Sequence, residues 1–223
     1  MSSVPAVSSA AVAALCDGQT PLLIETAILP GNKAERGRSV VESILSQTGK
    51  FYIEKQGGRD VGVRSWSAPR GYDLGLYIRQ GWRIEVPDQR LFPDHFNCPT
   101  VTFRAGLELA LMRYGLGILS FIRSKLGLEI PHWFVSAVMF GARALAPFGT
   151  DRGAMIVQVT LSQDTGFIYK SWIMRAENGD GPYTPAVAIR ATCRDFAALD
   201  SGAKPALSLI PLDKIEDCFA DLD

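Results

Sequence analysis

The sequence predicts an α+β fold, and three observations carry that expectation. Met155, Val157, Val159 and Leu161 alternate with Gln158, Thr160 and Ser162, the period of a half-buried strand. The turn Gln163-Asp164-Thr165-Gly166 sends this run back into a second strand, Phe167 to Ala176, as an antiparallel hairpin. Two apolar stretches, Ala105 to Ile122 and Trp133 to Phe148, have helical rather than strand length.

Taken in order, Ser2 or Ser3 can cap a first helix, with Pro5 in its first turn and Ala6 to Leu15 as its body. Asp17-Gly18 ends it, and Leu22 to Leu29 reads as a strand. The polar loop from Pro30 to Gly37 follows. Val40, Val41, Ile44 and Leu45 then recur at helical spacing. This strand–loop–helix unit carries Lys33 and Arg36 in its loop. Backbone N–H groups and two cations there can hold a carboxylate or phosphate, and a solvated loop is the plainer reading.

Phe51 to Ile53 and Val61 to Val63 flank Gln56-Gly57-Gly58-Arg59, a hairpin signal. From Ser65 to Asn97, proline, glycine and aromatic residues predict short strands and turns. The apolar stretches at 105–122 and 133–148 are interrupted by Glu108, Arg113 and Arg143. A membrane-spanning helix needs about 20 mostly apolar residues, so two buried core helices are expected. Membrane-surface contact or an apolar substrate tunnel is the alternative use. Gly115-Leu116-Gly117 imitates part of a dinucleotide fingerprint but sits inside a helix rather than after a strand.

The stretch Glu177 to Pro185 links the second hairpin strand to a helix over Pro185 to Leu199. Its two glycines permit positive φ, Thr184 can cap the helix, and Pro185 suits the first turn. Such a turn can aim backbone N–H groups at an anion, and a tight connection plus a cap is the plainer reading. Pro205 to Leu212 reads as a final strand, and Asp213 as the cap of a last helix.

Lys+Arg and Asp+Glu are 23 each in 223 residues, which argues against nucleic acid as a partner. Four scattered cysteines without Cys-x-x-Cys predict neither a disulfide framework nor a zinc site, and suit a reducing, cytoplasmic setting. His95 and His132 have no neighbours at metal-ligand spacing. No Gly-x-Ser-x-Gly elbow or Walker loop occurs. Asp151-Arg152 and Arg104/Glu108 are charged pairs beside apolar segments, read as internal ion pairs or substrate clamps.

Several segments carry a resemblance as a series. They are Ser2 to Ser9, the loop from Pro30-Gly31-Asn32 to Arg36-Gly37, Phe103 to Glu108, Phe148 to Gly153, and Gly179-Asp180-Gly181-Pro182-Tyr183-Thr184-Pro185. Gly202 to Pro205 with Leu212-Asp213 closes it. Their order resembles that of saccharopine dehydrogenase-like oxidoreductases over nearly the whole chain. The resemblance implies the substrate-side half of a nicotinamide-dependent protein, an α+β domain whose mostly antiparallel mixed sheet packs on helices. It implies one substrate-side domain over residues 1–223, with the family's preceding dinucleotide-binding domain outside this chain. No cofactor would then be held by this chain alone, and NAD or NADP belongs to the complete family protein. The implied partners are a dinucleotide-binding domain or subunit and a small-molecule substrate.

Asn32, Lys33, Arg36, Arg104, Asp151, Arg152, Asp180 and Tyr183 are the candidates for the substrate-facing surface. Lys33, Arg36, Arg104 or Arg152 can grip a carboxylate, and Tyr183 can hydrogen-bond a carbonyl or imine. No catalytic residue is assigned. Three functional readings follow: an oxidoreductase half that needs its partner, a small-molecule-binding or interaction module of the same descent, and a lipid-surface protein using the helices of 105–148. Self-association into a homo-oligomer is expected from the apolar content.

Overall fold

A computed structural model describes residues 4–33, 37–199 and 202–220. The expected caps Ser2 and Ser3 and the candidate Arg36 lie outside them. The fold is α+β: a curled, mixed six-stranded sheet packed against helices. The strands are β1 (Pro21–Leu29), β4 (Arg70–Asp73), β5 (Ile78–Arg83), β6 (Val101–Gly106), β7 (Gly153–Gln163) and β8 (Gly166–Ala176), with β2 (Phe51–Gln56) and β3 (Arg59–Arg64) as a separate hairpin. The sheet order is β4-β5-β6-β1-β7-β8. Among the described residues only the β1–β6 pairing is parallel, with Ile24 opposite Val101. The long hairpin of β7 and β8 runs in unbroken register from Gly153↔Ala176 to Gln163↔Gly166.

The helices are α1 (Val4–Cys16), α2 (Arg38–Gln47), α3 (Asp88–His95), α4 (Ala110–Leu126), α5 (His132–Leu145), α6 (Thr184–Arg194) and α7 (Leu212–Ala220). One face of the sheet is covered by helices. Ile24, Val101, Met155, Val157 and Val159 pack there with Val12 of α1, Phe92 of α3, Val187 of α6 and Ile215 of α7. α1 is apolar on nearly every side, as a helix buried in a core must be. Further along, Trp82 stacks on Trp66 (ring centroids 6.1 Å apart), and α2 and α4 close over them. The opposite face carries no helix in its core. Ala27, Leu29, Ala154 and Ile156 are covered by Tyr72 and Leu74, because the sheet curls its own edge over them.

Five local expectations are corrected. Val101–Gly106 is a strand, so the helix expected from Ala105 begins at Ala110. The region from Ser65 to Asn97 contains a helix, α3, besides its short strands. Thr184 lies inside α6 rather than capping it, and its hydroxyl donates back to the Gly181 carbonyl at 2.8 Å. The strand expected over Pro205 to Leu212 is irregular, because the Ser208 N–H is committed to Ser9 Oγ at 2.8 Å and Pro205 and Pro211 offer none. Asp213 likewise falls in the first turn of α7.

The two apolar helices are half-buried, not buried. α4 exposes Leu111, Tyr114, Ile118 and Phe121, one stripe at spacings of three and four, while Met112, Leu116 and Leu119 face inward. α5 exposes Trp133 and Phe140 and buries Val135. No helix among the described residues is long and apolar enough to cross a membrane.

Candidate functional site

Four of the sequence-marked loops meet at one end of the sheet. β1, β6 and β8 run the same way and finish there, and β7 starts there. Their ends deliver the loops that begin at Pro30, Leu107, Phe148 and Glu177. The contacts are close. A Cβ on Gly149 would sit 2.3 Å from Asn32 Cβ, and one on Gly31 would sit 2.5 Å from the Thr150 carbonyl oxygen. Glycine is the residue that permits two backbones to approach like this.

Glu108 ties these loops together. Its carboxylate accepts the N–H of Asn32 at 2.7 Å, the N–H of Thr150 at 2.8 Å and the Thr150 hydroxyl at 2.8 Å. Arg79 Nη2 donates to it at 2.9 Å. Arg79 is 8 % exposed and also donates to the carbonyl of Pro30 at 3.0 Å. Burial alone would raise the Glu108 carboxyl. The Thr150 and Asn32 N–H groups, the Thr150 hydroxyl and the Arg79 guanidinium outweigh it and hold the group below the usual carboxylate range. The Asn32 N–H of the loop after β1 is thus spent on a carboxylate of the chain itself.

A second charged cluster lies mid-sheet, on the face without helices. Arg104 Nη1 contacts Glu25 Oε1 at 2.8 Å, with side-chain exposures of 8 % and 3 %. Arg70 and the Tyr72 hydroxyl also donate to Glu25. Burial pulls the Arg104 guanidinium down, and the adjacent Glu25 carboxylate more than offsets it, so its pKa is raised. Burial likewise pushes the Tyr72 phenol up, next to the same carboxylate. Arg104 and Glu108 are thus in two different ion pairs, not in one pair with each other.

The remaining candidates fall as follows. Asn32 is 4 % exposed, and its Nδ2 donates to the Leu145 carbonyl at 2.9 Å. Lys33 is exposed in the same loop. Arg152 pairs with Glu177 at 3.5 Å, across the start of β7 and the end of β8. Asp151 sits beside it, half-buried. Asp180 and Tyr183 lie in the loop after β8, and Tyr183 is 62 % exposed. The structure thus brings Asn32, Lys33, Asp151, Arg152, Asp180 and Tyr183 to one end of the sheet and leaves Arg104 in the mid-sheet cluster.

Sequence reasoning missed Arg79 and Glu25. Glu25 carried a signal: it is a lone carboxylate inside the apolar run Pro21 to Leu29, where an unpaired charge is not sustained. Arg79 had none, because its role depends on three distant loops.

Gly117 of the Gly-x-Gly pair packs on Trp82, and the N–H groups of Asp180 and Tyr183 are spent on the Glu177 and Asp180 carbonyls at 3.0 and 2.9 Å. The described residues contain no group of three or more His, Cys, Asp or Glu able to hold a metal ion.

A cavity of about 560 Å³ opens beside this end of the sheet, between α2, α4 and α5. Asn32 and Lys33 form part of its wall. No protein-family model matches the chain, and no curated protein matches it in sequence.

Proposed function

We propose that this chain is the substrate-side half of a saccharopine dehydrogenase-like oxidoreductase, working with a dinucleotide-binding domain that supplies NAD or NADP. The observation that supports the reading is the convergence of the loops at Pro30–Asn32, Leu107–Glu108, Phe148–Gly153 and Glu177–Tyr183. They are the segments whose order carries the resemblance, and they meet at one end of four adjacent strands. In this reading Lys33 and Arg152 orient a substrate anion at that rim, and Tyr183 hydrogen-bonds its carbonyl or imine. The sheet face without helices receives the partner domain. The partner positions the nicotinamide, and this chain shapes the pocket and excludes water.

The cavity and the exposed stripes of α4 and α5 favour a second reading, a small-molecule-binding or interaction module of the same descent. One experiment separates them. The purified chain is titrated with NADPH alone, then with a dinucleotide-binding domain carrying Gly-x-Gly-x-x-Gly taken from the adjoining coding segment. NADPH fluorescence should change with that domain and hydride transfer should need both parts, with Arg152→Ala weakening substrate use. Tight NADPH binding by the chain alone would sink the oxidoreductase-half reading. Hydride transfer by the dinucleotide-binding domain alone, as fast as with this chain present, would favour the module.

A further inference from the structure

We propose that the cavity between α2, α4 and α5 binds an acyl chain whose anionic head group carries a hydrogen-bond donor. The inference goes beyond the redox reading and does not need it, because it concerns a ligand held by this chain without nucleotide.

The space is kept open. Protein interiors are close-packed, and the cavity, at about 560 Å³, falls in the size range of small-molecule sites. Leu107, Met112, Leu116, Leu119 and Met139 give it apolar walls. Two wall residues are glycines inside helices, Gly115 of α4 and Gly141 of α5. Glycine is the weakest helix former after proline. Nothing lies within 4 Å of a Cβ built on either one. Gly117, one turn face away, is different: a Cβ there would meet the Trp82 ring at 2.9 Å, so packing accounts for it. Neither close packing nor positive φ calls for Gly115 or Gly141. What their missing side chains do is leave room.

The charge on the wall is of one sign. Among the described residues, Lys33 and Arg143 are the charged residues that line it, and no Asp or Glu does. Both cations are exposed at the cavity edge, and neither pairs with a carboxylate among the described residues. The nearby Glu108 is already saturated by Asn32, Thr150 and Arg79. An apolar cleft edged by two unpaired cations suits a molecule with an aliphatic body and an anionic end.

An unsatisfied acceptor on the wall narrows the head group further. Asn32 is 4 % exposed, yet its Oδ1 is buried and accepts no hydrogen bond. The amide cannot turn over, because Nδ2 is held by the Leu145 carbonyl at 2.9 Å. A buried acceptor without a donor is costly. Asn32 lines the cavity, and a ligand hydroxyl or amide N–H pressed against it supplies that donor as the wall adjusts around the ligand, with the anion on Lys33 and Arg143.

The test uses the full chain, with no nucleotide, and 3-hydroxydodecanoate as the probe at submicellar concentration. Calorimetry should show a single saturable site. Dodecanoate should bind more weakly, and dodecyltrimethylammonium at least about tenfold more weakly than the hydroxy acid. Gly115→Leu should remove binding while raising the unfolding temperature, since it fills space and improves the helix. Gly141→Leu should do the same from the opposite wall, which guards against a folding defect in one variant. The proposal is overturned if 3-hydroxydodecanoate shows no saturable binding, if the cationic chain binds as well, or if both filled variants bind it unchanged.

Discussion

The Glu108 carboxylate accepts the backbone N–H of Asn32 at 2.7 Å, across 76 positions of sequence. With Thr150 and Arg79 on the same carboxylate, one side chain fixes the geometry of three loops. Glu108→Ala should cost about 3 kcal/mol, because it leaves the buried Arg79 without its counter-charge. Urea unfolding measures it. The Glu108 pKa is lowered in the folded state, so its contribution is complete above the ordinary value of 4.5 and is lost as pH falls below it. A cost under about 1 kcal/mol would show that the loops hold each other without it.

Glu25 and Arg104 should behave as a coupled pair. Glu25→Leu alone strands a buried guanidinium and should cost about 3–5 kcal/mol, whereas Glu25→Leu with Arg104→Met should recover most of that loss. Additive losses in the double-mutant cycle would refute the coupling.

Glycines two positions apart in α4 should respond in opposite directions. Gly115→Ala meets no atom and should stabilise by up to about 1 kcal/mol through helix propensity. Gly117→Ala drives a methyl into Trp82 and should destabilise by about 1–3 kcal/mol. Thermal melts of the two variants side by side decide this.

Asp88 gives a pH signature. It is 1 % exposed, its Oδ1 has no partner, and Oδ2 accepts the Ser8 hydroxyl at 2.8 Å. Burial pushes its carboxyl up to about 6, against an ordinary 3.8, and the Ser8 bond offsets only part of this. The native state therefore holds this proton more tightly than the unfolded chain does. Its stabilising effect is complete below 3.8 and is lost as pH rises through about 6, a change of about 3 kcal/mol. Asp88→Asn should flatten that fall in urea titrations between pH values of about 4 and 7. An unchanged slope in the variant would rule Asp88 out as its source.

Local periodicity made much of the fold legible. The alternation at Met155 to Leu161 and the turn after Gln163 gave the β7–β8 hairpin, and Val40, Val41, Ile44 and Leu45 marked α2. β6 was hidden because Val101 to Arg104 are all buried, so the strand shows no alternation and merges with the apolar helix behind it. α3 was hidden by its internal Pro93. At the candidate site, the loops were visible as glycine-rich polar segments. Their wiring was not, since the partners of Arg104, Glu108 and Arg152 are set by strand register rather than by neighbourhood in sequence.

The solitary parallel pairing of β1 with β6 has a kinetic consequence. Between them the polypeptide must complete α2, four strands and α3, and β1 gains its other neighbour only when β7 arrives. The middle of the sheet thus rests on its longest-range pairings, while the β7–β8 hairpin is a local one. During synthesis on the ribosome, the apolar segment from Pro21 to Leu29 waits with both edges bare, the condition in which a nascent chain sticks to others or recruits a chaperone.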